Sequence, residues 1–213
     1  FLGLSPIQPK TLPSMKPIQL LIFSIATATS LVAESVWKPD NTPKSIPPGM
    51  FQLDPSLEVT VWATTPQLYN PTNMDIDHKG RIWVTEGVNY RGNKGQRPAG
   101  DRVVVLQDTN GDGKCDHSHT FVQEPGFIAP LGIAVFDNII YVSQPPDLLA
   151  YTEVNRDLKF DPEVDKREVI LTGFNAINHD HGLHSLVAGP GGKFYFNNGN
   201  CGAVFTDNSG KSF

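Results

Sequence analysis

Three stretches carry the reading of the fold: Met74-Asp-Ile-Asp-His-Lys-Gly-Arg-Ile-Trp-Val84, Gly132-Ile-Ala-Val-Phe-Asp-Asn-Ile-Ile-Tyr-Val142 and Leu186-Val-Ala-Gly-Pro-Gly-Gly-Lys-Phe-Tyr-Phe196. Each reads as a strand, a tight turn of Gly, Asp or Asn, and a second strand with an aromatic residue at its centre. The aromatics Trp83, Tyr141 and Tyr195 recur after 58 and 54 residues. A repeat of that size, built of about four short strands, is the unit of a β-propeller, because each sheet can bury its faces only against its neighbours. The competing arrangement is a β-sandwich with similar hairpins. The expected fold is therefore all-β, a partial propeller of about three blades. A propeller of this blade size commonly closes with six, so a truncated chain is expected.

Working outward from the repeat, residues 57–213 form the propeller part, beginning with a strand in which Leu57, Val59 and Val61 alternate with Glu58, Thr60 and Trp62. Ahead of it, residues 36–56 are Pro-rich, with Pro39, Pro43, Pro47, Pro48 and Pro55 forbidding a regular helix and suiting an extended lead-in. Residues 15–35 read as an export signal: Met15-Lys16 is a short basic start, Ile18 to Val32 is apolar but diluted by Ser and Thr, and small residues follow. A retained anchor helix is the alternative, although about 20 apolar residues make a comfortable span. Residues 1–14 read as an upstream extension. The expected location is outside the cytoplasm, periplasmic or extracellular, with membrane association as the variant.

The composition narrows the partners. A net charge of -5, with no cluster of Lys and Arg to follow a phosphate backbone, argues against nucleic acid. A small polar molecule fits better. Two cysteines, Cys115 and Cys201, make no disulfide framework, and the absence of a C-x-x-C-H motif leaves this chain without a c-type haem attachment site.

Two segments carry chemistry. In Asp108-Thr-Asn-Gly-Asp-Gly-Lys-Cys-Asp116, oxygens of Asp108, Asn110 and Asp112 alternate along the loop, Gly113 permits a sharp turn, the Lys114 carbonyl can add a ligand and Asp116 follows. Hard oxygen donors in that order are the first half of a calcium loop, but His119 occupies the place where an EF-hand has its bidentate Glu. Asp, Asn and Gly are also what polar hairpin turns use, so both readings stand. Asn155 to Asp165 occupies the equivalent place in the next blade and has no glycine at its turn. The second segment is Asn178-His-Asp-His-Gly-Leu-His184. A histidine beside a carboxylate can act as general base. His179, His181 and His184 could instead hold a transition metal, or the histidines could bond backbone groups as caps of blade loops.

Asp180-His181, followed by Leu186 to Tyr195 and by Gly199-Asn200, resembles the active-site blade of the soluble quinoprotein glucose and sorbosone dehydrogenases. The wider set includes T-E-G at 85–87, the D-T-N-G-D-G-K loop, P-D-L-L at 146–149, K-R-E-V-I-L-T-G-F at 166–174 and H-D-H-G-L-H-S. That set resembles the membrane-bound dehydrogenase propeller family, large secreted proteins often joined downstream to a c-type haem domain. The resemblance implies a six-bladed propeller, pyrroloquinoline quinone in its central well, and oxidation of a sugar or another alcohol or aldehyde hydrate. It gives His181 the hydroxyl proton while hydride passes to the quinone, and gives Asp180 the task of orienting His181. A haem domain would be the electron acceptor. The family's quinone-binding arginines, lysine and asparagine mostly fall beyond the matched block. The alternative is a non-catalytic propeller that binds glycan or protein, a scaffold for the haem domain.

Overall fold

The computed structural model describes residues 38–42 and 45–213; the stretches read from the sequence as an upstream extension (1–14) and an export signal (15–35) lie outside the described residues. The described part is all-β. The first sheet comprises β1 (Pro71–Ile76), β2 (Ile82–Glu86), β3 (Arg102–Gln107) and β4 (His117–Gln123), antiparallel and paired in chain order. The second has β5 (Gly132–Phe136), β6 (Ile139–Gln144), β7 (Asp147–Thr152) and β8 (Lys166–Phe174), again in order. A third unit begins with the hairpin of β9 (Leu183–Ala188) and β10 (Phe194–Asn198), and β11 (Ala203–Asp207) follows.

The three aligned stretches are the first hairpins of the three units. Trp83 pairs with Asp75 and Tyr195 with Val187 at equivalent positions, whereas Tyr141 pairs with Ala134, one residue further along, because the second hairpin closes on the two-residue turn Asp137-Asn138 and the other two on five-residue turns. The sheets stack through their first strands, β1 against β5 and β5 against β9. Alternation then distributes side chains between two interfaces. In the second sheet Ile133, Val135, Ile140, Val142, Leu149 and Tyr151 join Trp83, Val103, Val105 and Phe121 of the first. Their neighbours Ala134, Phe136, Tyr141 and Leu148 face the third unit, packing with Leu183, Leu186 and Phe196. Because both faces of the middle sheet are covered at β5 to β7, these strands carry apolar runs on both sides, whereas β8 is largely exposed. This stack of antiparallel sheets is a partial β-propeller-like fold.

Two details differ from the sequence reading. Residues 57–62 belong to no ladder; Trp62 accepts one backbone bond at its carbonyl, from Cys115 (2.9 Å), and its ring packs on the outer face of the first sheet. Period-two alternation holds here only in part: Val59 and Val61 are half-buried, but Leu57 is 65% exposed and Trp62, from the other set, packs inward. The third unit is also not a separate four-stranded sheet among the described residues, because β11 pairs with β8 at the edge of the second sheet. Phe205 on β11 stacks on Phe174 (centroids 5.2 Å, planes 13° apart) and meets Phe196 edge-on, which ties the strand to both units. Gly173, at φ 104°, permits the close approach: a Cβ there would lie 2.3 Å from the Val204 carbonyl oxygen.

Candidate functional site

Successive turns in an antiparallel sheet leave from opposite ends, so the two chemically marked segments are separated by topology. The Asp108–Asp116 loop joins β3 to β4 at one end of the first sheet. The Asn178–His184 segment enters β9 at the other end, together with the β2–β3 loop (87–101) and the β10–β11 loop (199–202).

At the His end, residues 179–181 form one 3-10 turn, and the His181 N–H bonds the Asn178 carbonyl (2.9 Å). Nothing is described of the His179 side chain. The His181 side chain is 43% exposed and lines a cleft of about 510 Å³ with Arg91, Lys94, Ile177, Asn178 and Asp180. Asp180 Oδ2 lies 3.6 Å from His181 Nε2, an ion-pair approach beyond hydrogen-bond range. Its hydrogen bond comes instead from the Arg91 guanidinium, which holds the Asp180 carboxyl below the usual carboxylate range. His184 is turned away from the cleft: its Nε2 donates to the Asp180 carbonyl (3.0 Å). Thus the structure places Asp180 and His181 together and uses His184 to fasten their turn. From above, Gly199 lies flat on the turn, its N–H bonding the Gly182 carbonyl (2.9 Å); a Cβ at Gly199 would stand 2.4 Å from the His181 carbonyl oxygen. That contact gives the Gly199-Asn200 pair its physical meaning.

The β2–β3 loop is built on the T-E-G stretch. Glu86 is fully buried at the end of β2 and accepts bonds from Arg97 (2.7 Å), from Arg102 (2.8 and 3.1 Å) and from the Tyr69 N–H (2.8 Å). Asp101, also fully buried, accepts from the N–H groups of Asn89 (3.1 Å) and Ala129 (2.8 Å). Burial pushes its carboxyl up, against the pull of those bonds and of Arg97. These contacts fix the loop that presents Arg91 and Lys94 to His181. Sequence reasoning missed both cations. The available signal was length: a connection of about 15 residues between adjacent strands is uncommon and usually functional.

At the opposite end, the loop oxygens close on their own backbone. Asp108 accepts from the N–H groups of Gly111 (2.7 Å) and Gly113 (2.8 Å), Asn110 from that of Asp112 (2.8 Å), and Asp112 from that of Lys114 (2.9 Å). Asp116 accepts from the Thr109 N–H and hydroxyl (2.9 and 2.8 Å), which lower its carboxyl's pKa. Among the described residues no group of three His, Cys, Asp or Glu side chains converges as a metal site. In this arrangement the loop oxygens serve their own backbone, and the side chains of Asp108, Asp112 and Asp116 do not converge. Cys115 and Cys201 are free thiols, the first buried and the second in the loop over the His turn.

A family profile described as Domain of unknown function (DUF7133) matches residues 47–212. The chain belongs to that family. No curated protein matches it. Two solved structures of Trichoderma reesei Carbohydrate-Active Enzymes Family AA12, an iodide and a calcium structure, are similar to the DUF7133 chain at 22% and 23% identity, with TM-scores of 0.43 and 0.42. They cover 62% and 61% of this chain and 29% and 28% of their own, so the DUF7133 chain spans less than a third of their length. An apolar groove of about 590 Å³, lined by Val59, Val61, Ile82 and Val84, crosses the outer face of the first sheet; it has no titratable side chain and offers no chemistry. Among the described residues no helix is long and apolar enough to cross a membrane.

Proposed function

We propose that this chain supplies the base-bearing part of a dehydrogenase propeller that oxidises a sugar or another alcohol or aldehyde hydrate, with His181 as the general base. The observation that carries this reading is the His181 imidazole, half-exposed in a polar cleft beside Asp180 and two cations. A hydroxyl proton must leave as hydride departs from the same carbon, and imidazole is the side chain that titrates near neutrality. The O–H bond breaks toward a ring nitrogen of His181, and the C–H bond breaks with its electron pair toward an acceptor.

Pyrroloquinoline quinone, when bound, supplies that hydride acceptor. The cleft fits part of such a group: Arg91 and Lys94 would face its carboxylates, and the single carboxylate in the lining, Asp180, is already paired with Arg91. Ile177, 89% exposed, offers an apolar surface to the C–H face of a sugar. The same reading carries export from the cytoplasm and a c-type haem domain as the next electron carrier.

The test uses the full-length parent protein reconstituted with the quinone. His181→Ala is expected to lower turnover about a hundredfold or more, the scale of a general base, with quinone affinity unchanged. His184→Ala should do far less, because its ring serves the turn. Equal losses in both variants that follow the loss of a bound metal would replace this reading with a metal site.

A further inference from the structure

Arg91 occupies a position that the local chain does not favour. It has φ 51°, in the left-handed region that side-chain-bearing residues seldom adopt, and it opens the 3-10 turn Arg91–Asn93. Backbone strain of this kind persists when surrounding contacts over-determine it. Here the contact is long-range: the guanidinium reaches from the β2–β3 loop to Asp180, 89 positions away, and bonds Oδ2. Its carbon also stands 5.2 Å from the centre of the Tyr90 ring, which steadies the side chain from behind. The oxygen that Arg91 holds is the same one that faces His181 Nε2 at 3.6 Å. One carboxylate oxygen thus has two candidate donors, and Arg91 has taken it. A guanidinium does not lose its proton at working pH, so no deprotonation of Arg91 releases Asp180.

The consequence concerns the imidazole. A carboxylate free to close on a histidine favours the imidazolium, which cannot accept a proton. A carboxylate whose charge is already met by a guanidinium exerts much less of that pull. Of the described side chains, the charged groups around His181 are Arg91 and Lys94 from the β2–β3 loop and Asp180 from its own turn, while the His184 ring is committed to the Asp180 carbonyl. We propose that Arg91 is a positioning residue that draws Asp180 off His181 and so keeps the imidazole available as a proton acceptor. The inference rests on the reading of His181 as the base, but it makes a structural claim of its own.

Ring ¹⁵N and Cε1–H signals of His181, recorded in the full-length chain at pH 7, test it without any turnover. Arg91→Ala should move His181 to the pattern of a carboxylate-bonded imidazolium, with the imidazolium share rising at least about threefold, since an opposite charge at this range shifts such an equilibrium strongly. Arg91→Lys should stay near the parent pattern, and adding Asp180→Asn to Arg91→Ala should return the ring to it. With a side chain 62% exposed, Arg91 can be removed without opening a core. Identical His181 signals in the parent and Arg91→Ala, or a change that survives Asp180→Asn, would overturn the proposal. Turnover of His181→Ala reports on the base alone, so failure of either claim is distinguishable from failure of the other.

Discussion

The two ends of the stacked sheets use the same polar residue types in opposite ways. At the end that carries Asp108, the carboxylates of that loop bond backbone N–H groups close in the chain, Asp108 within five positions of itself and Asp116 within seven. Asp77 and Asp207 make the same turn from the same pattern, D-x-x-G followed by a base: Asp77 accepts from the N–H groups of residues 79 and 81, and Asp207 from those of 209 and 211. At the His end the carboxylates reach across the fold, Glu86 to Tyr69 and Arg102, Asp101 to Ala129 and Asp180 to Arg91. Local bonds hold a turn in shape wherever it sits. Long-range ones hold loops against one another, which a cleft requires.

The sharpest test of that contrast is Glu86. Glu86→Ala would leave Arg97, itself buried, and Arg102 without the carboxylate they share, and breaking a buried pair from one side costs about 3–5 kcal/mol. Denaturant unfolding should register a loss of that order. An effect no larger than that of an exposed turn residue would break the comparison.

Asp77 should fall between the extremes, because its bonds are local yet its carboxylate is buried. Burial pushes the carboxyl up, but bonds from Trp83 Nε1 (2.9 Å), Arg81 Nε (2.6 Å) and two backbone N–H groups outweigh it and hold the group below the usual range. Asp77→Asn is expected to cost about 1.5–3 kcal/mol at pH 7, the scale of hydrogen bonds to a charged group. A lowered pKa contributes stability above the unfolded value of about 4, and that contribution is lost as pH falls through the folded value. The gap between parent and variant should therefore close in acid, and a gap unchanged from pH 7 to pH 3 would mean that the charge is not what matters.

Gly199→Ala tests the His end by sterics alone. The added methyl meets the backbone of His181, so a cost of about 1–3 kcal/mol is expected, together with displaced His181 and Asn178 amide signals in a heteronuclear NMR spectrum. Unmoved signals would mean that the loop yields and the turn does not.

The smallest effect belongs to Asp112, exposed and bonded only within its own loop. Asp112→Ala should change stability by no more than about 0.5 kcal/mol. Thermal midpoints of the parent with calcium and with chelator should coincide. A calcium-dependent rise that Asp112→Ala abolishes would mark the loop as a calcium site, since a ligand of the folded state stabilises it.

The repeat was legible in the sequence because alternation, turn residues and a central aromatic are local properties. The hairpins of Trp83, Tyr141 and Tyr195 needed no distant partner to be recognised, and the turns at Asp77 and Asp108 follow from which side chains can reach their own backbone. Alternation could not say whether residues 57–62 pair or merely cover a sheet, and without a ladder to fix the faces Leu57 stays exposed while Trp62 packs inward. Nor could it say that β11 would leave its hairpin for β8, a choice made by Phe205 meeting Phe174 and Phe196. The same limit applies to the site. Asp180 and His181 announce themselves by adjacency, whereas Arg91 becomes part of their chemistry only when stacking of the sheets brings a loop 89 residues upstream to the same carboxylate. Spacing along a chain fixes what a residue can do locally; which charge it meets depends on the packing of elements that share no local sequence.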